Sequence, residues 1–398
     1  MKKVLFISGS LGLGHAARDL AIAGELRRTN PDLGILWMAE DPAIAYLEAM
    51  GEKVIPITGV RGGSTDICDA HGGSYQLYLA EVWLDWIKTF PERVALFKEV
   101  AKREKVDLVI GDEAFDIFTE FYRHPKLKDF RFVLIQDFLG IHHVKKDPRQ
   151  VLAGWVFSRW WCNYLRDPRL SDANIFIGEL RDIPDEGFGL FLPNKREIAR
   201  KYLETVGYIL NFNPEEYRDR KGVRSRLGYG SEPLIIATIG GTAVGRPLLE
   251  LCASAYPLIR REIPDARMVL VCGPRVPPGS LKVPDGVEVR GFVPNLHEHL
   301  AACDLCITAG GATTTLELQA LDRPFLYFPL EGHFEQETDV GGRLRRQGVG
   351  VEMRFSRTTP ESLAASVVQN IGKNVSYPKP PLDGSKKAAE IISRILAT

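Results

Sequence analysis

Leu305-Cys306-Ile307-Thr308-Ala309-Gly310-Gly311-Ala312-Thr313-Thr314-Thr315-Leu316-Glu317 reads as an apolar run, a paired-glycine turn, and a hydroxyl-rich helix start with a carboxylate one turn in. An uninterrupted apolar run of this length suits a strand buried on both faces, and a strand that feeds a helix through a tight turn is the repeating unit of a parallel sheet. The amides at such a helix start favour an anion. With the hydroxyls of Thr313 and Thr314 and the carboxylate of Glu317, the stretch is suited to hold a diphosphate and a ribose diol together. Upstream, Leu234 to Thr238 runs into Ile239-Gly240-Gly241-Thr242 and a helix near Pro247, a second turn able to meet a phosphate. Downstream, the strand Phe325 to Phe328 leads into Pro329-Leu330-Glu331-Gly332-His333-Phe334-Glu335-Gln336, which gathers polar groups suited to sugar hydroxyls.

The same rhythm fills the rest of the chain. Strands are predicted near Val4 to Ser8, Gly34 to Met38, Lys53 to Pro56, Leu108 to Ile110, Phe132 to Ile135 and Ile175 to Ile177 in the first half. Met268 to Cys272, Val287 to Val289 and Val349 to Glu352 complete the second half. The Asn-, Pro-, Arg- and Gly-rich stretch Gly207 to Gly230 interrupts this alternation. The predicted organisation is therefore α/β, with two doubly wound Rossmann-like domains facing a central cleft. Residues 1–207 form the first domain and 208–383 the second, while the amphipathic stretch 384–398 is a terminal helix packing across both.

Ser8-Gly9-Ser10-Leu11-Gly12-Leu13-Gly14-His15 leaves the first strand and opens a helix, so Gly12 and Gly14 let backbone approach a ligand closely. His15 stands at the mouth of that turn, where open α/β sheets bind ligands, and an imidazole there can act as a general base near neutral pH. Asp107-Leu108-Val109-Ile110-Gly111-Asp112-Glu113 brings carboxylates to the same edge, and Asp112 is placed to orient His15. Its competing role is to cap the helix that begins at Phe115, as His15 in turn could cap its own helix. Asp137, ending another strand, is a weaker candidate of the same kind. Gly12-x-Gly14-x-x-Ala17 also matches a dinucleotide fingerprint, with Glu40 and Asp41 as ribose acceptors.

Lys plus Arg and Asp plus Glu balance at 51 each, which removes the basic footprint that nucleic-acid binding needs. Six cysteines in 398 residues are too sparse for a disulfide framework and point to a reducing cytoplasm. His297-x-His299-x-x-x-Cys303-x-x-Cys306 has metal-like spacing, but it spans a predicted helix and a buried strand that would separate the side chains, so no metal is expected. The aromatic run Gly154 to Tyr164 reads as a core helix, with an acceptor pocket or a membrane contact as its alternatives.

Taken together, these motifs resemble the inverting GT-B glycosyltransferases, close to the MurG-like and UDP-glycosyltransferase groups. Gly12-x-Gly14-His15-x-x-Arg18 is similar to their amino-terminal motif. The segment from Gly291-Phe292-Val293-Pro294 through Gly310-Gly311-Ala312-Thr313-Thr314-x-x-Glu317 to Glu335-Gln336 is similar to their nucleotide-sugar signature. The resemblance implies that backbone at Phe292 and Val293 meets the uracil and that Glu317 holds the ribose. Gly240, Gly241, Thr242, Gly311, Ala312, Thr313 and Thr314 would surround the diphosphate, and Glu335 and Gln336 the sugar, with His333 close by. It makes His15 the base, assisted by Asp112, in a metal-independent displacement with inversion. Where relatives often continue Gln-x-x-Asn-Ala, this chain has Gln336-Glu337-Thr338-Asp339-Val340, which leaves the donor sugar open.

The expected partners are a nucleotide-sugar donor, linked to uridine or thymidine diphosphate, and a lipid or aromatic acceptor, with no resident cofactor and no nucleic acid. Peripheral membrane contact accompanies the lipid alternative. Acceptor contacts are expected from Thr58 to Trp86 and His142 to Arg166. A nucleotide-sugar hydrolase or epimerase, a noncatalytic nucleotide-sugar-binding subunit and an NAD-dependent dehydrogenase are the competing functions.

Overall fold

In the computed structural model, the apolar runs become two wholly parallel sheets. The structure describes residues 2–9, 12–57, 63–141 and 148–397. Ser10 and Leu11 of the first glycine turn, and Thr58 to Gly62 and His142 to Asp147 of the expected acceptor regions, lie outside them.

The first sheet contains β1 (Lys3–Ile7), β2 (Gly34–Ala39), β3 (Val54–Pro56), β4 (Leu108–Asp112), β5 (Arg131–Gln136), β6 (Ala173–Ile177) and β7 (Glu204–Gly207) in the order β3-β2-β1-β4-β5-β6-β7. β1 and β4 are neighbours, with Ile7 opposite Gly111. Because the strand order runs outward in opposite senses from this pair, the helix after β1 and the loop after β4 leave a crevice at their carboxyl ends. All of β4 and nearly all of β1 and β5 are buried, as a sheet covered on both faces requires.

An aromatic cluster fills one side of this unit. Trp83 and Phe157 pack with ring centroids 4.0 Å apart and planes tilted by 46°, and Trp161 packs on Phe115 while its indole N–H donates to Gln136 Oε1. Most of the Trp-rich run, on the helix Pro148–Arg166, is therefore core. Trp155 and Trp160 stand nearer the surface under Arg159 and Arg123.

The second sheet contains β8 (Leu234–Thr238), β9 (Arg267–Val271), β10 (Val287–Arg290), β11 (Leu305–Ala309), β12 (Phe325–Phe328) and β13 (Val351–Glu352) in the order β10-β9-β8-β11-β12-β13. Here β8 and β11 flank the reversal, with Thr238 opposite Thr308. Its core joins Leu234, Ile236, Val269, Leu300, Leu318, Phe325 and Leu344.

The chain divides into two units, one of residues 1–67, 79–211 and 380–398 and the other of 68–78 and 212–379. The main division falls between residues 211 and 212. The terminal helix Gly384–Ala397 belongs to the first unit, packed on the helix Gly14–Thr29 and on β6 and β7. The segment Cys68–Tyr78 groups with the second unit. Among the described residues, no helix is long and apolar enough to cross a membrane.

Candidate active site

The reversal between β1 and β4 brings two predicted residues together. His15 lies in the first turn of the helix Gly14–Thr29, and Asp112 ends β4. His15 Nδ1 is 3.2 Å from Asp112 Oδ2. Neither residue is a helix cap: the helices beginning at Gly14 and Phe115 have Leu13 and Ala114 at their caps, without side-chain cap bonds.

Arg18, one helical turn beyond His15, binds Asp112 through two donors, Nε to Oδ2 at 2.7 Å and Nη2 to Oδ1 at 2.5 Å. Its Nη1 donates to Asp137 Oδ2, at the end of β5. Burial opposes the charge on Asp112, but Arg18 and His15 overcome it and hold this carboxyl well below the usual carboxylate range. Asp137 is lowered as well, chiefly by Arg18 against the opposing effect of burial.

Two further acids show the opposite response. Glu113 is pushed well above its ordinary value by burial and by the charge on Asp137, and Asp19 by burial and by Asp112, although Ser8 donates to Asp19. One guanidinium thus stands between two carboxylates held low, with two more acids around them pushed the other way. Arg18, Asp19 and Glu113 were not among the predicted site residues. The available signal was charge on an inward face, since Arg18 and Asp19 share the buried stripe of their helix with Ala16, Ile22, Ala23 and Leu26.

Gly9 is required by the ring itself. A Cβ there would lie 2.9 Å from His15 Cγ and Nδ1 and 3.2 Å from the Asp112 carbonyl oxygen. Gly9→Ala is expected to displace the imidazole from Asp112 and to lower turnover more than it lowers thermal stability. Parallel melting and rate measurements check this, and an unchanged rate would show that the His15–Asp112 contact is dispensable.

His15, Asp112 and Glu113 are also the one group of His, Cys, Asp and Glu side chains among the described residues whose ligand atoms lie close enough to share a cation, within 4.8 Å of one another. The Arg18 guanidinium already supplies positive charge to the same oxygens. The His297–Cys306 pattern forms no such cluster: His297 stacks on Phe212 and meets Tyr217 Oη, while His299 meets Tyr229 Oη. Glu40, a proposed ribose acceptor in the dinucleotide reading, is buried, ion-paired with Arg93, and accepts from the Ser64 N–H at 2.9 Å.

In the second unit the two glycine turns follow β8 and β11, side by side at that sheet's reversal. Gly240 takes a left-handed φ of 80°, and Gly273 must lack a side chain because its Cβ would meet the Gly240 carbonyl oxygen. Gly310 packs so closely that a Cβ would lie 2.9 Å from Pro329 Cα. Gly311 caps the helix Ala312–Ala320 without a side-chain bond, so the cap itself leaves its amides unengaged. Thr315 Oγ turns back onto the Gly311 and Ala312 carbonyls, leaving Thr313 and Thr314 as the half-buried hydroxyls of this helix start. Phe292 and Val293 are half-buried at the end of β10.

Glu317, 8% exposed, is pushed up to about 8 by burial. The folded chain then holds a proton that the unfolded chain releases near the ordinary glutamate value, so this group removes stability as pH rises from about 4.5 to about 8. The slope is at most about 1.4 kcal/mol per pH unit. Glu317→Gln is expected to match the parent at acid pH and to exceed it increasingly toward pH 8. Denaturant unfolding across this range checks the difference, and parallel curves would place the carboxyl in water.

The predicted sugar loop is partly engaged within its own unit. Gln336 Oε1 accepts from the Leu330 N–H at 2.9 Å, tying the loop back to the end of β12. His333 is 8% exposed, its Nδ1 has no hydrogen-bond partner, and burial pushes the ring down to about 4, so it is neutral at physiological pH. Glu335 to Val340 form a π-helix, a rare geometry often found at functional sites, through the departure from Gln-x-x-Asn-Ala.

The segment Cys68–Tyr78 completes this unit. Asp69 accepts from the Ala243 N–H at 2.8 Å and from Arg275 Nε at 3.0 Å, just beyond the first glycine turn. Tyr75 Oη donates to the Phe328 carbonyl, and the Leu77 N–H to that of Glu331. Long-range pairing of this kind leaves no periodic signal in sequence.

Two parallel sheets, each with ligand-suited turns at its reversal, define the GT-B class of α/β proteins. Residues 235–395 match the glycosyltransferase family 28 C-terminal domain. The chain has the GT-B fold, and its C-terminal part is similar to the glycosyltransferase family 28 C-terminal domain. It is 30% identical over 193 residues to an uncharacterised glycosyltransferase of Methanopyrus kandleri, an alignment covering 48% of this chain and 53% of that protein. The match therefore spans about half the length of that relative. It is 24% identical over 382 residues to the UDP-N-acetylglucosamine–N-acetylmuramyl-(pentapeptide) pyrophosphoryl-undecaprenol N-acetylglucosamine transferase of Carboxydothermus hydrogenoformans, covering 92% of this chain and 88% of that one. Crystalline MurG of Acinetobacter baumannii superposes with a TM-score of 0.52 at 15% identity, covering 99% of this chain and 100% of that one.

Proposed function

We propose that this protein transfers a sugar from a nucleoside-diphosphate donor, UDP-linked, to an acceptor hydroxyl with inversion. The observation that carries the reading is the pair of glycine turns at the β8/β11 reversal, within a segment that matches a glycosyltransferase C-terminal domain. Helix-start amides and the hydroxyls of Thr242, Thr313 and Thr314 suit a diphosphate, and Glu317 suits the ribose diol. A ribose hydroxyl donating to Glu317 favours its ionised form, so nucleotide binding would release a proton below about pH 8.

In the reaction, the acceptor oxygen attacks the anomeric carbon while the bond to the diphosphate breaks, and the departing oxygen keeps the electron pair. His15 takes the proton of the acceptor hydroxyl, and Asp112 stabilises the imidazolium. Charge gathering on the diphosphate is met by dipoles already oriented, which is where such sites gain most. This reading needs neither a resident cofactor nor a metal. The exposed Leu84, Leu152, Leu190 and Phe191 of the first unit support a lipid or aromatic acceptor and contact with a membrane surface on the cytoplasmic side.

Calorimetric titration with UDP, TDP and NADH, followed by a scan of UDP-sugars, tests the proposal. Binding of UDP or TDP supports it and identifies the donor. Binding of NADH alone would overturn it. Glu113, 3.7 Å from His15 Nε2 and pushed well above its ordinary value by burial and by Asp137, favours hydrolysis or epimerisation as the second reading, which release of free sugar or sugar isomerisation without an acceptor would reveal.

A further inference from the structure

His15 Nδ1 has two neighbours that make opposite demands on it. Asp112 Oδ2, at 3.2 Å, can only accept a proton, and Arg18 Nη2, at 2.7 Å, can only donate one. A neutral imidazole nitrogen does one or the other, so the two contacts exclude each other as hydrogen bonds. The shorter contact defines the resting state. With Arg18 donating into the Nδ1 lone pair, the ring proton would sit on Nε2, 3.7 Å from Glu113 Oε2. A base that acts through Nε2 needs the other tautomer, with its proton on Nδ1 and directed at Asp112.

The second observation concerns where the Arg18 proton can go. Glu113 Oε1 is buried without a hydrogen-bond partner, 3.9 Å from Arg18 Nη2. Glu113 is held there by a left-handed backbone with φ 51°, a conformation unfavourable for a non-glycine residue that tends to persist at functional sites. Arg18 itself stays anchored by Nε on Asp112 Oδ2 and Nη1 on Asp137, while one Nη2 proton is held on Asp112 Oδ1 at 2.5 Å and the other is the one exchanged. A movement of Nη2 by about an ångström, the difference between a 3.9 Å contact and a hydrogen bond, exchanges one acceptor for the other.

We propose that Arg18 is a two-position positioning residue that sets the tautomer of His15. In the resting position, Nη2–H rests on His15 Nδ1. In the primed position, Nη2–H rests on Glu113 Oε1, and His15 donates Nδ1–H to Asp112 Oδ2. Between the two, the ring releases one proton from Nε2 to solvent and gains one at Nδ1, so its charge is unchanged. Burial and the charge on Asp137 push Glu113 well above its ordinary value, which opposes a third anion beside Asp112 and Asp137.

The functional value of this switch rests on His15 being the base, but the tautomer can be read without turnover. Nitrogen-15 NMR of the full chain with labelled histidine, at a pH where the ring is neutral and with His15 assigned through His15→Gln, gives the test. The parent should show Nε2 protonated and Nδ1 bare. Arg18→Met should move the proton to Nδ1, whereas Glu113→Leu, which removes the second acceptor, should keep the resting tautomer. A parent ring already protonated on Nδ1, or an unchanged tautomer in folded Arg18→Met, would overturn the proposal. Should Arg18→Met fail to fold, the parent spectrum and Glu113→Leu decide it. If His15→Ala keeps full activity while these spectra come out as expected, the base assignment fails and the tautomer control stands.

Discussion

Replacing His15 with alanine lowers sugar transfer by about 10²-fold or more, the usual contribution of a positioned general base. Nucleotide affinity stays near that of the parent, because the side chains assigned to the nucleotide belong to the second unit while His15 belongs to the first. Transfer rates at saturating donor, paired with UDP titration, separate the two effects. A variant with unaltered rate would remove His15 from the chemistry, and one that lost UDP binding would show a structural role instead. His15→Gln sharpens the comparison, since it keeps polarity near Asp112 without a titratable ring.

The second large effect concerns stability. Arg18→Met leaves Asp112 and Asp137 buried without their shared cation, and breaking a buried ion pair from one side costs about 3–5 kcal/mol. Both carboxyls are held below their ordinary value by Arg18, so this stabilisation is complete above the ordinary carboxylate range and fades as pH falls through the lowered folded values. The deficit of Arg18→Met should therefore be greatest at neutral pH and shrink in acid, where its unpaired carboxyls take up protons. Urea unfolding of both proteins at neutral and acid pH measures it. A deficit below about 1 kcal/mol at neutral pH would mean that the cluster is open to water.

Much of this architecture is visible in the chain itself because strands of a parallel sheet must be apolar on both faces. β8 and β12 coincide with their predicted runs, and most of the others differ by one or two residues at an end. β7 escaped because Glu204-Thr205-Val206-Gly207 offers a single buried apolar side chain at the sheet edge. His15, Asp112 and the two donor-side turns could be read because each ends or follows a recognisable strand. Arg18, Asp19 and Glu113 were harder to assign. Glu113 is one residue past a candidate and reads as an ordinary loop carboxylate, and Arg18, though part of the amino-terminal motif, has with Asp19 the composition of a helix surface. Deep burial, which changes their chemistry, is a property of three elements meeting rather than of any local pattern.

The excursion of residues 68–78 also limits how this protein can be divided. A piece cut at Phe212 and ending at Lys379 looks like a self-contained module, yet it would lack the Asp69 acceptor for Ala243, the Tyr75 hydroxyl on Phe328 and the strand-like pairing with Glu331. Chimaeras that exchange nucleotide specificity by swapping carboxyl-terminal halves would inherit that gap, filled by whatever the recipient's own loop provides. Carrying residues 68–78 along with the graft keeps these contacts, so the unit to which the proposed donor site belongs is discontinuous in sequence.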